Sequence, residues 1–256
     1  MIILEIRNWS FVLFLLIAFS IFNNKAFANE INSDSLARRD GLTKIEGQQL
    51  IYILPSPRTD GDISVEAAMA ARRSRRNFQG EAISAEQLSQ ILWAAYGITL
   101  PMAEHPSLRG GFRTTPSAGA LFPLEIYAVV GNVEGLEPGV YRYISGEHKI
   151  IRVIDRDVRD ELSQAALGQR MVREAPASVF FSAVLGRMTG VYGEQRGRRY
   201  IYMEIGHSAQ NVYLQAEALG LGTCAVGAFS DDMVALVLEL PAEEVPLYIM
   251  PVGHYR

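Results

Sequence analysis

Residues 198–229 read RRYIYMEIGHSAQNVYLQAEALGLGTCAVGAF. Ile201, Ile205, Val212, Ala216 and Leu219 recur on one stripe at helical spacing, which predicts the longest helix of the chain. Gly220 and Gly222 stop it, because glycine accepts the left-handed backbone that commonly closes a helix. The residues that follow, TCAVGAF, predict a short strand. Within the helix Glu204 and His207 stand one turn apart, a spacing shared with half of a di-iron motif. The second half is missing, so a structural role for His207 is expected and no metal site.

On the C-terminal side, Ser230 begins a helix through DDMVALVLEL, and VPLYIMPVGH predicts a last strand. On the N-terminal side, ASVFFSAVL (177–185) and LEIYAVVG (124–131) are apolar runs of buried strands, and GVYRYISGEHKIIRVI (139–154) reads as a hairpin turning near Ser145-Gly146. SAEQ (84–87) is a capping box, in which the Ser hydroxyl and the Gln side chain each satisfy an orphan backbone donor. Leu88, Ile91, Leu92 and Ala95 follow at helical spacing and Gly97 ends that helix. An earlier helix starts at Ser64, with Glu66 in its first turn, and runs through VEAAMAARR. Hairpins mixed with helices predict an α+β fold built as one domain over 63–256. Residues 29–62, broken by Pro55, Pro57 and Gly61, are expected to form an irregular leader.

The chain has 256 residues, 49% of them hydrophobic and 20% charged, with a formal charge of −4. That acidic balance argues against a general nucleic-acid partner. The single cysteine, Cys224, excludes an internal disulfide and a cysteine-based zinc site. Residues 1–28 hold an apolar run from Trp9 to Phe22 followed by Ala26-Phe27-Ala28, a small-x-small cleavage signature. They predict a secretory signal peptide cut after Ala28, hence an exported, periplasmic protein; an uncleaved N-terminal membrane anchor is the alternative.

Four segments could carry chemistry. Arg72-Arg73-Ser74-Arg75-Arg76 concentrates positive charge in an acidic chain. Guanidinium forks match phosphate oxygens bidentately and a serine hydroxyl adds a neutral donor. Basic residues also suit a helix C-terminus, so the cluster alone leaves both readings open. In RTTPSAGALFPLEIY (113–127) the small residues 117–120 allow close approach to the backbone. Neither a phosphate loop nor a dinucleotide fingerprint is formed, since the Lys-Ser/Thr and the strand-to-helix context are lacking. GLGTCAVGAFSDD (220–232) exposes backbone at Gly227-Ala228, and the fourth segment is the long helix itself with the residues before it.

In order and spacing, RRSRRNF, LSQILWAAYGIT, RTTPSAGALFPLEIY, EIGHSAQNVYLQAEALGLGTCAVGAF and PLYIMPVGH resemble the nitroreductase-like flavoprotein family, and within it the SagB-type (thiazole/oxazole dehydrogenase) branch. The resemblance spans nearly all of 60–254. It implies a central mixed sheet wrapped by helices, FMN as cofactor, and a homodimer with the FMN site at its interface. It places Arg72, Arg73, Ser74 and Arg76 at the phosphate and ribityl end. Pro116, Ser117, Ala118 and Gly119 would lie along the isoalloxazine ring, with Asn211 among the cofactor-binding residues. Gly227 and Ala228 would offer backbone N–H to flavin N5, and Gly253 and Arg256 would close the phosphate site. Azoline-oxidising members resemble one another in a Lys-Tyr pair where this chain has Val191-Tyr192. Valine cannot move a proton, which leaves Tyr192 as the candidate catalytic acid or hydrogen-bond donor. The expected activity is two-electron, ping-pong redox on a small organic or peptide-derived substrate, with a membrane or periplasmic electron partner. A catalytically silent flavin-binding protein and a classical NAD(P)H-dependent nitro or quinone reductase are the alternatives.

Overall fold

The structure, a computed structural model, describes residues 43–46, 49–102, 105 and 108–256. The expected signal peptide and most of residues 29–48 lie outside the described residues. By its contacts the chain divides into units 1–43 and 44–256, and the second unit carries the fold. No described helix is long and apolar enough to cross a membrane.

An eight-stranded sheet forms the centre, in the order β1-β2-β7-β6-β5-β8-β10-β9. Its strands are β1 (Thr43–Glu46), β2 (Gln49–Ile53), β5 (Leu124–Val130), β6 (Gly139–Ile144), β7 (Lys149–Ile154), β8 (Ala177–Val184), β9 (Gly222–Thr223) and β10 (Glu244–Gly253). A separate two-stranded ribbon pairs β3 (Ile98–Pro101) with β4 (Gly111–Arg113). The sheet was expected to be mixed. From β2 to β9 its neighbours instead pair antiparallel. Parallel pairing is confined to single bridges outside the named strands, such as Ser74 with Thr223. A second difference lies in the expected irregular leader, where Ile51, Tyr52 and Ile53 pair with Ile151, Ile150 and Lys149. The apolar run Leu50–Leu54 is too valuable to leave in water, and the hairpin's outer edge is there to take it.

Every residue of β5 is buried, so its alternating side chains serve two cores. Ile126, Ala128 and Val130 face one cluster, Tyr127 and Val129 the other. The first core receives α2 (Ala85–Tyr96) through Leu88, Ile91, Leu92 and Ala95, and α6 (Glu194–Ala218) through Ile201, Ile205, Val212 and Ala216. The second receives α3 (Arg159–Ala165), α4 (Arg170–Glu174) and α7 (Asp231–Val237). α1 (Val65–Ala71) and α5 (Leu185–Tyr192) flank α6. Ser64 accepts from Ala67 N, and the capping box of α2 has both reciprocal bonds. The strand expected over TCAVGAF shortens to Gly222–Thr223, followed by one bridge between Val226 and Ile249.

The α2 capping box gives a direct stability test. Ser84→Ala removes the acceptor for Gln87 N and should lower the unfolding free energy by about 1 kcal/mol in urea melts, with an unchanged denaturant slope.

Candidate active site

The arginine cluster leaves α1 and runs alongside β9. Ser74 bridges Thr223, and Arg75 N donates to Thr223 O at 2.9 Å. Two residues of α6 fix this crossing. The Tyr213 hydroxyl lies 3.0 Å from Ser74 Oγ and accepts from Ala225 N at 2.8 Å, while its ring carries the Arg72 guanidinium at 5.3 Å. Glu217 accepts from Arg73 N at 3.1 Å and lies 3.8 Å from Arg75 Nε. Arg75 is also stacked on Tyr255 at 4.4 Å. The arginines therefore divide. Arg75 is spent on Glu217 and Tyr255, whereas Arg72, Arg73 and Arg76 form no ion pair among the described residues. Arg256 N donates to Asn77 O, which brings the last residue beside this segment.

Gly227 and Ala228 lie exposed four residues beyond the Ser74–Thr223 bridge. Their backbone N–H groups have no hydrogen-bond partner among the described residues, Ala228 O accepts from Gln169 Nε2 at 2.8 Å, and the Tyr248 ring lies behind Gly227. Gly253 ends β10. It is buried, and a Cβ there would lie 2.4 Å from Pro176 Cδ and 3.4 Å from the Phe78 ring. Its glycine is required by packing, because β10 runs against that proline.

The small-residue loop 116–119 forms a second group. Ser117 Oγ donates to Glu204 Oε2 at 2.5 Å and accepts from Phe122 N at 2.9 Å. The Tyr96 hydroxyl donates to the other Glu204 oxygen. Ala118–Ala120 make one 3-10 turn in which Gly119 has φ +62°, and a Cβ there would sit 2.5 Å from the Tyr192 hydroxyl. That contact brings Tyr192, at the end of α5, to the loop, with its ring edge-on to Tyr200 at 4.9 Å. Asn211 does not face the arginines through its amide nitrogen. It donates to Thr114 O and Thr115 Oγ1 and so ties the loop's entry to α6. Pro116 is exposed and Ala118 half-buried.

Glu204 is 1% exposed. Burial pushes its pKa up to about 6, against the pull of the Ser117 and Tyr96 hydroxyls and the Arg113 charge. His207, one turn on, points to solvent, so the i, i+3 pair does not converge. Cys224 is buried, and burial pushes its thiol up to about 11, far from a reactive thiolate. Tyr213, Glu217 and Tyr96 were not singled out in the sequence. The polar side of α6 carries the first two, but nothing local marks them as neighbours of residues more than a hundred positions away.

An antiparallel sheet with helices on both faces, an exposed arginine-serine cluster and an adjoining pair of backbone N–H groups without a partner among the described residues define an α+β protein with one candidate site at the β9 edge. The nitroreductase family model matches residues 69–254. The chain is 46% identical over 192 residues to a protein of Methanocaldococcus jannaschii named as a nitroreductase, covering 75% of this chain and 91% of that one. It is 30% identical over 133 residues to the trifolitoxin-processing protein TfxB of Rhizobium leguminosarum, covering 50% of this chain and 35% of that one. The crystal structure of a Ralstonia eutropha protein, also named as a nitroreductase, superposes with a TM-score of 0.69 at 27% identity, over 84% of this chain and 93% of that one. This chain belongs to the nitroreductase family of oxidoreductases.

The Glu204 carboxyl has a measurable signature. Because its folded pKa lies above the unfolded value near 4.5, the folded state binds the proton more tightly. The contribution of this carboxyl to stability is therefore fully present below about pH 4.5 and is lost as pH rises through 6. Glu204→Gln should flatten that fall, worth roughly 2 kcal/mol, in denaturant melts between these pH values.

Proposed function

We propose that this protein is an FMN-dependent oxidoreductase of the SagB-type branch, acting on a small organic or peptide-derived substrate. The observation that carries the reading is the joining of Arg72, Arg73, Ser74 and Arg76 to the exposed Gly227-Ala228 amides across the Ser74–Thr223 bridge. A phosphate carrying nearly two charges needs several paired, hydrogen-bonded cations before it can leave water. Arg72, Arg73 and Arg76, whose guanidiniums form no ion pair among the described residues, fit that demand. The unpartnered amides fit a ring acceptor at the other end of the same ligand. When bound, FMN would supply two-electron chemistry at its ring; the protein supplies placement, electrostatics and protons.

The ring loop is held away from the arginine cluster. Glu204, which fixes Ser117, precedes Tyr213, which fixes Ser74, by nine residues on α6. That separation is about 13 Å along the helix axis. It supports a site completed across a homodimer, with the 116–119 loop of one copy covering the cluster of the other. Tyr192 then presents its hydroxyl at the loop, where it can donate a hydrogen bond or a proton to substrate. The likeness to TfxB, a protein named for processing trifolitoxin, favours the SagB-type branch. Val191 is exposed and without proton chemistry beside Tyr192, which argues against peptide azoline oxidation as the reaction. Residues 1–28 support export to the periplasm, where a dehydrogenated organic substrate or a membrane partner would replace NAD(P)H as the electron source. The 46% identity to a protein named as a nitroreductase favours the second reading, a classical NAD(P)H-dependent reductase.

The purified protein should be yellow, and Arg72→Ala with Arg76→Ala should be folded and colourless. Retention of flavin at unchanged affinity by the double variant would leave the cluster as a charge match for the end of α1. Stopped-flow mixing with NADPH separates the two readings. Slow bleaching of the flavin band supports the first, and bleaching faster than steady-state turnover supports the reductase.

A further inference from the structure

A second concentration of arginine lies elsewhere in the fold. β5 and β6 pair from Val130 with Gly139 to Tyr127 with Arg142, and there the pairing ends. Beyond it Leu124, Glu125 and Ile126 remain paired to β8, and Tyr143 and Ile144 remain paired to β7. Both strands are held on their outer sides while they part in the middle. The wedge between them is a cleft of about 300 Å³, lined by Tyr96, Arg109, Arg113, Glu125, Arg142 and Ser145 among others. That is the low end of the range for small-molecule sites.

The charge in this cleft does not cancel. Among the described residues Glu125 is the single lining carboxylate, and three guanidiniums converge on it: Arg142 at 2.9 Å, Arg187 at 2.5 Å and Arg109 at 3.4 Å. Arg113 forms no ion pair among the described residues. It donates to Ser145 Oγ at 2.7 Å and to Arg109 O at 3.1 Å, and lies over the rings of Tyr96 and Phe122 at 4.4 and 4.6 Å. Each guanidinium has five N–H donors. The Nε atoms of Arg113 and Arg142 are buried with no partner. Three guanidiniums share the Glu125 carboxylate and Arg113 stands beside them, and burial together with the neighbouring Arg187 and Arg142 makes the charge on Arg109 harder to hold. Gathering this much like charge is costly unless a counter-anion completes it. Tight forks with a hydroxyl beside them suit an oxyanion with several acceptor oxygens.

We propose that the wedge between β5 and β6 is a binding site for a small phosphate dianion, held by Arg109, Arg113 and Arg142. It is distinct from the cluster at Arg72–Arg76 and does not rest on the FMN reading. Inorganic phosphate and a phosphate monoester share the chemistry that would be recognised.

Calorimetric titration of the full chain, pre-saturated with FMN, with inorganic phosphate and with glycerol phosphate at physiological chloride tests the site. One saturable event per chain is expected. Arg109→Gln or Arg113→Gln should weaken it about tenfold or more. Arg113→Lys, which keeps the charge and loses the fork, should weaken it less than Arg113→Gln. Arg72→Ala with Arg76→Ala should leave it unchanged, whether or not that variant carries flavin. Tighter binding of glycerol phosphate would assign the site to an organic ester, and equal binding to free phosphate. Absence of a saturable event overturns the proposal, as does binding indifferent to both glutamine variants or binding lost with Arg72 and Arg76. Should Arg113→Gln fail to fold, Arg109→Gln decides, since its side chain is 43% exposed.

Discussion

The buried carboxylate of Glu204 joins three parts of the chain that have no covalent reason to meet. The Tyr96 hydroxyl, at the end of α2, donates to one oxygen, and Ser117, in the small-residue loop, donates to the other. Neighbouring polar groups extend the same seam. Ser208 and Thr115 both donate to Ala95 O, and Asn211 donates to Thr114 O. All of this lies against a cluster of Leu, Ile, Val and Ala, where an unpaired polar group costs far more than a paired one returns. The seam therefore selects one register of α2, α6 and the loop. Hydrophobic burial alone would tolerate several. Where Gly119 and Tyr192 sit follows from that choice.

How much of this was legible in the sequence depends on how local each signal is. The caps at Ser64 and Ser84 and the stripe on α6 are written within one or two helical turns, and they appear where expected. β2 was hidden because its five residues stand in a segment broken by prolines, and its partner is nearly a hundred residues away. α3, α4 and α5 have five to eight residues, too few turns for a periodic pattern to stand out. The antiparallel order could not be read from buried strands, since a strand covered on both faces looks the same in either kind of sheet.

The site divides along the same line. The arginine-serine cluster, the small-residue loop and Gly227-Ala228 were visible as composition. Their anchors Tyr213, Glu217 and Glu204 act across 139, 144 and 87 positions. No window of sequence contains both partners. Gly253 shows the opposite limit. Its position in a motif suggests a ligand, and the structure adds a packing reason for the same residue at Pro176. A glycine near a site is ambiguous until the atom that would meet its Cβ is known.

Positive charge in this acidic chain is gathered in two places with different physical settings. Around Ser74, Arg73 and Arg76 are exposed and Arg72 and Arg75 half-buried, and Arg75 is paired with Glu217 and stacked on Tyr255. In the wedge beside β5, Arg109, Arg142 and Arg187 share one carboxylate and Arg113 is half-buried beside them. The two regions are not electrically independent of the loop between them. Arg113 lies on the Tyr96 ring, and Tyr96 donates to Glu204. The Arg113 charge pulls the Glu204 carboxyl down while burial pushes it up. Any anion that offsets Arg113 would weaken that pull and move Glu204 toward its protonated form. A protonated Glu204 would donate from one oxygen and still accept at the other, so one of the two hydroxyls that now donate to it, Ser117 or Tyr96, would have to turn. Charge at Arg113 and the hydrogen bonding of the small-residue loop are thus linked through this one carboxyl.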